Sequence, residues 1–307
     1  MTEPVDRGIT RISVDEFGTG GDTGPAAEVR RIAEACDAAD GVITLNEQAC
    51  LQLKYRGLRD AALWLGDDGF ALLHGQLLDI AVHPMARNRG TGTELARLAL
   101  AEAAATVGKV EAWSHGDHPS AGRIASKLGV HKERELRIMT RPTSDPVVPI
   151  DPPAGVRIRT FTPADEAALL EVNAAAFSHH PEQGHLSHED FLERSKEAWF
   201  DANGLFLAVP EDEDPAQPEI LGFHWTKVHL DEVPPYGEVY VVATNPKAVG
   251  RGLGSVLTSA GLTYLATRGV DDVILYVDGD NAPAIAVYER LGFTTVRTEV
   301  QYRGGVG

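Results

Sequence analysis

The stretch from Gly237 to Leu257 reads GEVYVVATNPKAVGRGLGSVL, and the rest of the chain is interpreted from it. It begins with Glu238, a carboxylate at the head of an apolar run that is typical of a β-strand. A glycine-rich loop, residues 250–254, follows and opens an amphipathic helix. Backbone N–H groups at the start of such a helix point at an anion, and glycines let the anion come close. The stretch therefore predicts a phosphate-binding strand, loop and helix.

The same pattern occurs earlier in the chain. Residues 81–84 (AVHP) lie 162 positions before residues 243–246 (ATNP). The same offset carries residues 89–92 (RGTG) onto residues 251–254 (RGLG). A period this long indicates the duplication of a whole domain rather than a solenoid repeat. The duplication makes the phosphate loop a stronger signal than a single glycine-rich loop.

Apolar periodicity predicts strands and helices in both halves. Helices are predicted over residues 26–39, through Leu95, and over 120–128, 165–177 and 282–291, and strands over 61–65, 70–73, 77–82, 110–113, 205–209, 220–228, 238–242, 274–277 and 294–302. Asn46 is a typical cap for a further short helix. Residues 141–155 contain five prolines and no apolar period, which is typical of a semi-rigid linker. We therefore predict a first domain over 1–141, a linker over 142–155 and a second domain over 156–307.

Composition excludes several classes of function. The chain has 307 residues, enough for about two domains, and a net charge of −17, which disfavours nucleic acid as a partner. The apolar runs are too short for a membrane helix, and no signal peptide is evident. Cys36 and Cys50 are too few for a disulfide scaffold and favour reduced thiols. We expect a cytoplasmic monomer.

Four histidines lie close together in the second half: His179, His180, His185 and His188. Their spacing fits no structural zinc pattern, and no cysteine accompanies them. A polar loop near the substrate is the favoured interpretation, so no metal is expected.

Residues 280–293 read DNAPAIAVYERLGF and follow a predicted strand. Together with the loop pattern [RQ]-x-x-G-x-[GA], this segment resembles the GNAT acetyltransferases. The resemblance covers both halves, and nearly the whole chain outside the linker. It implies an α+β fold of two tandem GNAT domains, each with a mixed, mostly antiparallel sheet flanked by helices. It also implies an acyltransferase that uses acetyl-CoA and a small-molecule amine.

Five further blocks in the second half are not general GNAT motifs: NAAAF (173–177), HPEQG (180–184), EAWF (197–200), GFHWTKVH (222–229) and GEVYVV (237–242). They resemble an actinobacterial group of tandem GNAT enzymes that acetylate the cysteinyl amine of a cysteinyl-glucosamine-inositol. That substrate is what the resemblance implies. The alternatives are a GNAT enzyme acting on another amine, such as a protein N-terminus or an aminoglycoside, and an acetyl-CoA-binding regulatory module without turnover.

Acetylation of an amine requires a base and an acid. A free α-amine has a pKa of roughly 7.7–8.0, so a base must take a proton near neutral pH. With the resemblance, Glu238 is the candidate base, acting through a bound water, and Tyr288 is the acid that protonates the departing thiolate. A backbone amide near Val242 would polarise the carbonyl. The residues alone also fit a solvated Glu238 at a strand edge and a Tyr288 packed in the core.

Comparison of the two halves indicates that they have different roles. An offset of 162 carries Glu238 back to Gln76, and an offset of 163 carries Tyr288 back to Ala125. The first domain therefore keeps the loop but has neither a carboxylate nor a phenol at these places. We expect it to be able to bind acetyl-CoA without catalysing the reaction.

The resemblance also implies the residues that contact acetyl-CoA. In the second domain these are Val242, Ala243, Thr244, Val249, Gly250, Arg251, Gly252, Leu253, Gly254, Ser255, Asn281, Ala282, Ala284, Ile285 and Ala286. In the first domain they are Ile80, Ala81, Val82, Asn88, Arg89, Gly90, Thr91, Gly92 and Thr93. Val249 departs from the motif, which has Arg or Gln there, and Lys247 and Arg251 are placed to compensate.

The amine substrate is expected to contact Glu182, Lys227, Glu238 and Tyr276, with Glu47 reaching in from the first domain. Ionised carboxylates are strong acceptors for an ammonium group and for sugar hydroxyls. The alternative for Glu47 is a first-turn carboxylate favoured by the helix dipole.

Overall fold

A computed structural model describes residues 8–17, 23–178, 183–214 and 217–305. The chain divides into two compact units. The first comprises residues 1–136 and 298–307, and the second comprises residues 137–297. Across the described residues, no helix is both long and apolar enough to span a lipid bilayer.

Most elements of the first unit lie before residue 137. Its elements are β1 (Thr10–Ile12), α1 (Val14–Phe17), α2 (Pro25–Asp40), α3 (Glu47–Leu51), β2 (Ala61–Gly66), β3 (Gly69–His74), β4 (Leu77–Val82), α4 (Thr91–Thr106), β5 (Lys109–Ser114), α5 (Pro119–Leu128) and the first half of β6 (His131–Pro142). Strands β1 to β4 form antiparallel neighbours, whereas β4 and β5 are parallel. The predicted hairpin around residues 66–69 is confirmed, with Gly66 paired to Gly69.

The second unit repeats this plan. Its elements are β7 (Val156–Thr160), α6 (Glu166–Ala176), α7 (His188–Ser195), β8 (Leu205–Pro210), β9 (Gly222–His229), β10 (Tyr236–Thr244), α8 (Leu253–Leu265), β11 (Asp272–Asp278), α9 (Ala282–Arg290) and the start of β12 (Thr294–Gly305). Strands β7, β8, β9 and β10 are antiparallel neighbours, and β10 and β11 are parallel. The mixed, mostly antiparallel α+β architecture expected from the sequence is confirmed.

Two apolar clusters cover the two faces of the second unit's sheet. The α8/α9 cluster contains Val239, Leu262, Leu275 and Ile285 among its buried members. The cluster on the α6/α7 side contains Leu169, Phe191 and Trp225. Each strand can contribute side chains to both clusters because successive side chains point to opposite faces of a sheet. Both faces of the sheet are therefore covered.

The predicted strands and helices are present, with ends that differ from the prediction by a few residues. The structure divides the chain differently from the boundaries proposed above. Residues 300–305 of β12 pair with β5, from Val300 opposite Ser114 to Gly305 opposite Lys109. These residues therefore belong to the first unit's sheet, although they are the last part of the predicted second domain.

The proline-rich segment packs against the second unit. The Thr143 hydroxyl donates to the carbonyl of Val270 at 2.6 Å, and its N–H donates to the carbonyl of Asp271 at 2.8 Å. Further along, the Ser259 hydroxyl of α8 donates to the carbonyl of Val148 at 3.1 Å. Val147 packs against the α8/α9 cluster. These contacts hold the segment against the rest of the second unit. Local periodicity did not predict them.

Candidate active site

Strands β10 and β11 run side by side for only part of their length. The parallel pairing extends from Tyr236 opposite Asp272 to Val239 opposite Leu275. Strand β10 itself continues to Thr244. In these two fully described strands the ladder therefore ends at Val239, and the second part of β10 leaves its neighbour. Val242, near which the polarising amide was predicted, lies in this second part.

A β-bulge lies where the ladder ends. The register of β10 against β9 shifts between Val239 and Val241. Before the bulge, Glu238 is opposite Lys227, and after it, Val241 is opposite Trp225. Since Trp225 and Lys227 are two residues apart on β9, they share a face, and so do Glu238 and Val241. The bulge thus lets apolar Val241 enter the core on the same face that carries the carboxylate.

Glu238 is buried, with 7% of its surface exposed. His229 Nε2 lies 2.6 Å from its Oε2. An ionised carboxylate can only accept a hydrogen bond, so Nε2 is the donor. The Tyr236 ring stacks on the imidazole with centroids 4.2 Å apart and planes at 22°. The predicted base is therefore a held carboxylate, and the alternative of a solvated strand-edge residue is wrong.

Lys227 is the cross-strand neighbour of Glu238 and is also buried. Its Nζ lies 4.7 Å from the centroid of the Trp199 ring and 5.4 Å from that of Tyr240. Such cation–π contacts favour an ammonium group by about 0.5–2 kcal/mol, depending on desolvation. The Tyr240 hydroxyl accepts from Arg194 Nε at 2.8 Å, which fixes one of the two rings. The site thus places a positive charge beside the carboxylate.

The remaining predicted substrate residues have different positions. Tyr276 is half-buried on β11, two residues after Ile274, the residue opposite Glu238. By strand alternation Tyr276 shares the face of Glu238. Glu47 is the first residue of α3 in the first unit, where Asn46 Oδ1 caps the helix by accepting from the N–H of Ala49. Glu182 lies outside the described residues.

Tyr288 packs against the α8/α9 cluster. Its ring meets that of Phe293 edge to face, with centroids 5.9 Å apart. Burial raises the pKa of the Tyr288 phenol from 10.0 to about 12, because an apolar environment disfavours the charged form. The hydroxyl therefore keeps its proton at neutral pH, as a general acid requires. Val242 packs against the same cluster.

The glycine loop of the second unit has the backbone geometry that an anion site needs. Gly250 and Gly252 have φ values of +86° and +76°, in the left-handed region that favours glycine. A Cβ built at either of them, or at Gly254, would meet no heavy atom within 4 Å, so the space above the loop is open. Gly252 caps α8 without a side-chain hydrogen bond. The start of a helix leaves its first N–H groups without intrahelical partners, so this end of α8 fits a pyrophosphate group. Val249 is 70% exposed beside them.

Asn281 and Ile285 have structural roles in the helix that follows. Asn281 Oδ1 caps α9 by accepting from the N–H of Ala284 at 3.2 Å. Ile285 is buried in the α8/α9 cluster. The helix carrying Tyr288 is therefore fixed at its start by a cap and along one face by the core.

The first unit has its own cavity, of about 390 Å³. It lies between the ends of β4 and β5 and the starts of α4 and α5. Eight of the nine residues predicted to contact acetyl-CoA in this half line it, with Arg89 as the exception: Ile80, Ala81, Val82, Asn88, Gly90, Thr91, Gly92 and Thr93. Ala125, which corresponds to Tyr288, lines it as well. As in the second unit, the parallel ladder is short, with Leu77 opposite Glu111.

Sequence reasoning missed His229, Tyr236 and the aromatic pair around Lys227. A usable signal existed for His229. It stands two residues after Lys227 within the GFHWTKVH block, so strand alternation places both on one face. The aromatic pair had no such signal, because Trp199 comes from a segment far from Tyr240 in sequence.

Comparisons with known proteins agree with this geometry. Residues 168–293 match the model of the acetyltransferase (GNAT) family. The chain is 46% identical to a mycothiol acetyltransferase from Nocardioides sp., over 90% of this chain and 97% of that protein. It is 45% identical to a mycothiol acetyltransferase from Nocardia farcinica, over 90% of this chain and 93% of that protein.

Solved structures show the same fold. A GCN5-related N-acetyltransferase from Sphaerobacter thermophilus superposes with a TM-score of 0.68 and 23% identity, covering 99% of this chain and 97% of that one. A tandem GNAT protein from the clavulanic acid biosynthesis pathway superposes with a TM-score of 0.69 and 18% identity, covering 97% and 98%. The predicted tandem fold and acetyl-transferring activity are confirmed. On sequence identity, domain model and fold together, the chain belongs to the GNAT superfamily and, within it, to the mycothiol acetyltransferase family.

Proposed function

We propose that the second unit transfers the acetyl group of acetyl-CoA to the cysteinyl amine of 1-D-myo-inosityl 2-(L-cysteinylamido)-2-deoxy-glucopyranoside, giving mycothiol. The observation that carries the proposal is the buried carboxylate of Glu238 beside the point where β10 leaves β11, with the protonated phenol of Tyr288 packed against the cluster on the other face of the sheet. Relatives at 45–46% identity over 90% of the chain, named mycothiol acetyltransferase, support the choice of substrate.

The loop of the second unit is proposed to hold the pyrophosphate of acetyl-CoA. A Cβ built at Gly250, Gly252 or Gly254 would meet only open space at the start of α8, and Lys247 and Arg251 add positive charge nearby. The bound thioester supplies an activated acetyl group. Residues 242–244, in the part of β10 that has left β11, are proposed to contact its pantetheine arm and carbonyl through the backbone. Asn281, Ala282, Ala284 and Ala286 are proposed to line its other side.

Glu238 is proposed to take the proton from the substrate ammonium, directly or through a water. General base catalysis of this kind contributes about 10²–10⁴-fold to a rate. Lys227 and Tyr276, on the same face, are proposed to bind the substrate's hydroxyl and carbonyl oxygens. Glu182 and Glu47 remain predicted contacts of the substrate.

Tyr288 is proposed to return a proton to the thiolate of the departing CoA. Its phenol keeps its proton because burial raises its pKa to about 12. Each turnover converts an ammonium group and a thioester into an amide, a thiol and one released proton. Glu238 passes the first proton of the ammonium to solvent. The second proton, lost from nitrogen after the attack, restores the Tyr288 phenol directly or through solvent.

The first unit is proposed to bind acetyl-CoA without turning it over. Its cavity of about 390 Å³ is lined by the predicted loop residues, while Ala125 stands where the second unit has a phenol. We also propose that the protein acts as a cytoplasmic monomer. Cys36 and Cys50 are both thiols rather than halves of a disulfide, which fits a reducing compartment.

The test is direct. Purified protein is mixed with acetyl-CoA and the cysteinyl-glucosamine-inositol amine, and the product is analysed by mass spectrometry after blocking of the free thiol, which distinguishes N- from S-acetylation. Glucosamine-inositol without cysteine, a peptide with a free N-terminus and an aminoglycoside serve as competing amines. Turnover of one of these instead of the cysteinyl amine would overturn the proposed substrate.

A further inference from the structure

His229, which is half-buried, and Glu238, which is buried, form a close pair at the start of β10. The Nε2–Oε2 distance is 2.6 Å, and the side chains are 18% and 9% exposed. Hydrogen bonds to an ionised acceptor are shorter and roughly twice as strong as neutral ones. The carboxylate is therefore restrained through one of its two oxygens.

The register of the strands explains how this contact arises. His229, the last residue of β9, is opposite Tyr236, the first residue of β10, and the two rings stack. Glu238 follows Tyr236 by two residues and shares its face. Burial, followed by the negative charge of Glu238, raises the pKa of the Tyr236 phenol, so the stacked ring stays neutral. The phenol thus orients the imidazole, and the imidazole orients the carboxylate.

We propose that His229 is a positioning residue for acetyl transfer: its Nε2–H holds Oε2 of Glu238 and leaves Oε1 as the oxygen that receives the proton of the amine. In this step the N–H bond of the ammonium breaks and an O–H bond forms at Oε1, while the imidazole keeps its own proton. The proposal rests on the proposed function, because Glu238 is the base of that reaction.

The expected effect on the rate follows from how precisely the Glu238 carboxylate must be placed. A glutamate side chain has three rotatable bonds, and a misplacement of about 1 Å in a reacting group can cost roughly 10²-fold in rate. On β10 the main chain fixes only the direction of the Cβ of Glu238. The imidazole supplies the restraint at the other end. The neighbouring Lys227 ammonium lies over the Trp199 ring, 4.7 Å from its centroid.

Two substitutions distinguish the role of His229 as a hydrogen-bond donor from the role of its aromatic ring. His229→Gln keeps an N–H donor but loses the aromatic stack, whereas His229→Phe keeps the stack but loses the donor. If the hydrogen bond positions the base, the Phe variant loses about 10–100-fold in kcat with KM for the amine changed only a few-fold. The Gln variant recovers most of that loss. Equal kcat for the Phe variant and the wild type, or a Gln variant as slow as the Phe variant, would overturn the proposal. His131→Phe, at an exposed position on β6, is the matched control.

A second measurement does not depend on turnover. In protein labelled with ¹⁵N-histidine, the Nε2–H of His229 should give a protonated-nitrogen signal with a proton shifted downfield, and Glu238→Ala should remove that shift. An unprotonated Nε2 in the wild type would overturn the proposal. Should the wild type fail to acetylate the cysteinyl amine while this signal is present, the proposed substrate is wrong and the positioning of Glu238 stands.

Discussion

Glu238 and Tyr288 lie on opposite sides of the second unit's sheet. Glu238 shares a face with Lys227, whereas Tyr288 packs against the cluster that contains Val239, the next residue along β10. In the proposed roles, the base and the acid therefore act from opposite faces of the sheet. A base on the amine side and an acid on the thiolate side is the order that acetyl transfer requires, since the amine attacks one face of the carbonyl and the thiolate leaves.

We expect Glu238→Gln to lower kcat by about 10²–10⁴-fold, because the amide cannot take a proton. The affinity for acetyl-CoA should stay within a few-fold, since the loop amides are untouched. Steady-state kinetics and calorimetric titration with acetyl-CoA measure the two effects. Gln76→Ala, at the corresponding position of the first unit, is the control. A loss as large as that of Glu238→Gln in this control would contradict the assignment of a single catalytic site.

Tyr288→Phe should lower kcat by about 10–10³-fold, as expected for removal of a general acid. The variant should also resist alkali better. The folded-state pKa is raised from 10.0 to about 12, so the unfolded chain loses its phenol proton first as pH rises. The phenol's contribution to stability is present below pH 10 and is lost between pH 10 and about 12. Urea unfolding at pH 8 and pH 11 should show a smaller fall for the variant, and an equal fall in both proteins would contradict the buried phenol.

The burial of His224 predicts that the protein loses stability as the pH falls. Its Nδ1 donates to the carbonyl of Leu257 at 2.9 Å, and burial lowers the pKa of the imidazole from 6.5 to about 4. The unfolded chain therefore takes up the proton first as pH falls, and stability present at pH 7 is lost between about 6.5 and 4. The loss is roughly 3–4 kcal/mol at 1.36 kcal/mol per pKa unit.

His224→Asn is the corresponding test, because asparagine keeps a donor near the position of Nδ1 and does not titrate. The variant should be less stable at pH 7, and its free energy of unfolding should fall less steeply from pH 7 to pH 4. Parallel curves for the wild type and the variant would show that other groups cause the acid sensitivity.

Two glycines of α8 offer a matched pair for packing. A Cβ at Gly261 would meet the His224 ring and lie 2.9 Å from Thr226 Cγ2, whereas a Cβ at Gly254 would meet nothing within 4 Å. Gly261→Ala should therefore lower the free energy of unfolding by about 1–3 kcal/mol through overpacking. Gly254→Ala should leave stability unchanged or raise it by up to about 1 kcal/mol through helix propensity. Thermal unfolding distinguishes them, and equal effects would contradict the close packing of α8 on β9.

Turns and helix caps were predictable because they depend on residues that are close together in the sequence. The turn Gly66–Gly69 and the cap at Asn46 are short-range patterns, and the structure has both. Strand β6 was missed because residues 131–137 are mostly charged and exposed, and burial begins only at Ile138. Helix α7 was missed because its eight residues include only two apolar side chains. Its capping box, in which Ser187 pairs with Asp190, was the available signal.

The site was predictable only in part. The loop, Glu238 and Tyr288 are carried by motifs, so resemblance could name them. Strand alternation could place His229 on the face of Lys227, but its contact with Glu238 could not be predicted, because that contact depends on the register between β9 and β10. The bulge that turns Val241 to the face of Glu238 likewise has no local signature, since the sequence there is a uniform apolar run.

The position of β12 sets an order of events in synthesis. Residues 300–305 pair with β5, so a ribosome must synthesise the whole of the second unit before the first unit can complete its sheet. A fragment that stops at residue 141 would leave β5 as an open edge, and unpaired edges invite aggregation. The second unit, which needs only residues 137–297, can acquire all of its strands first. For this chain, the half that is translated first is the half that is finished last.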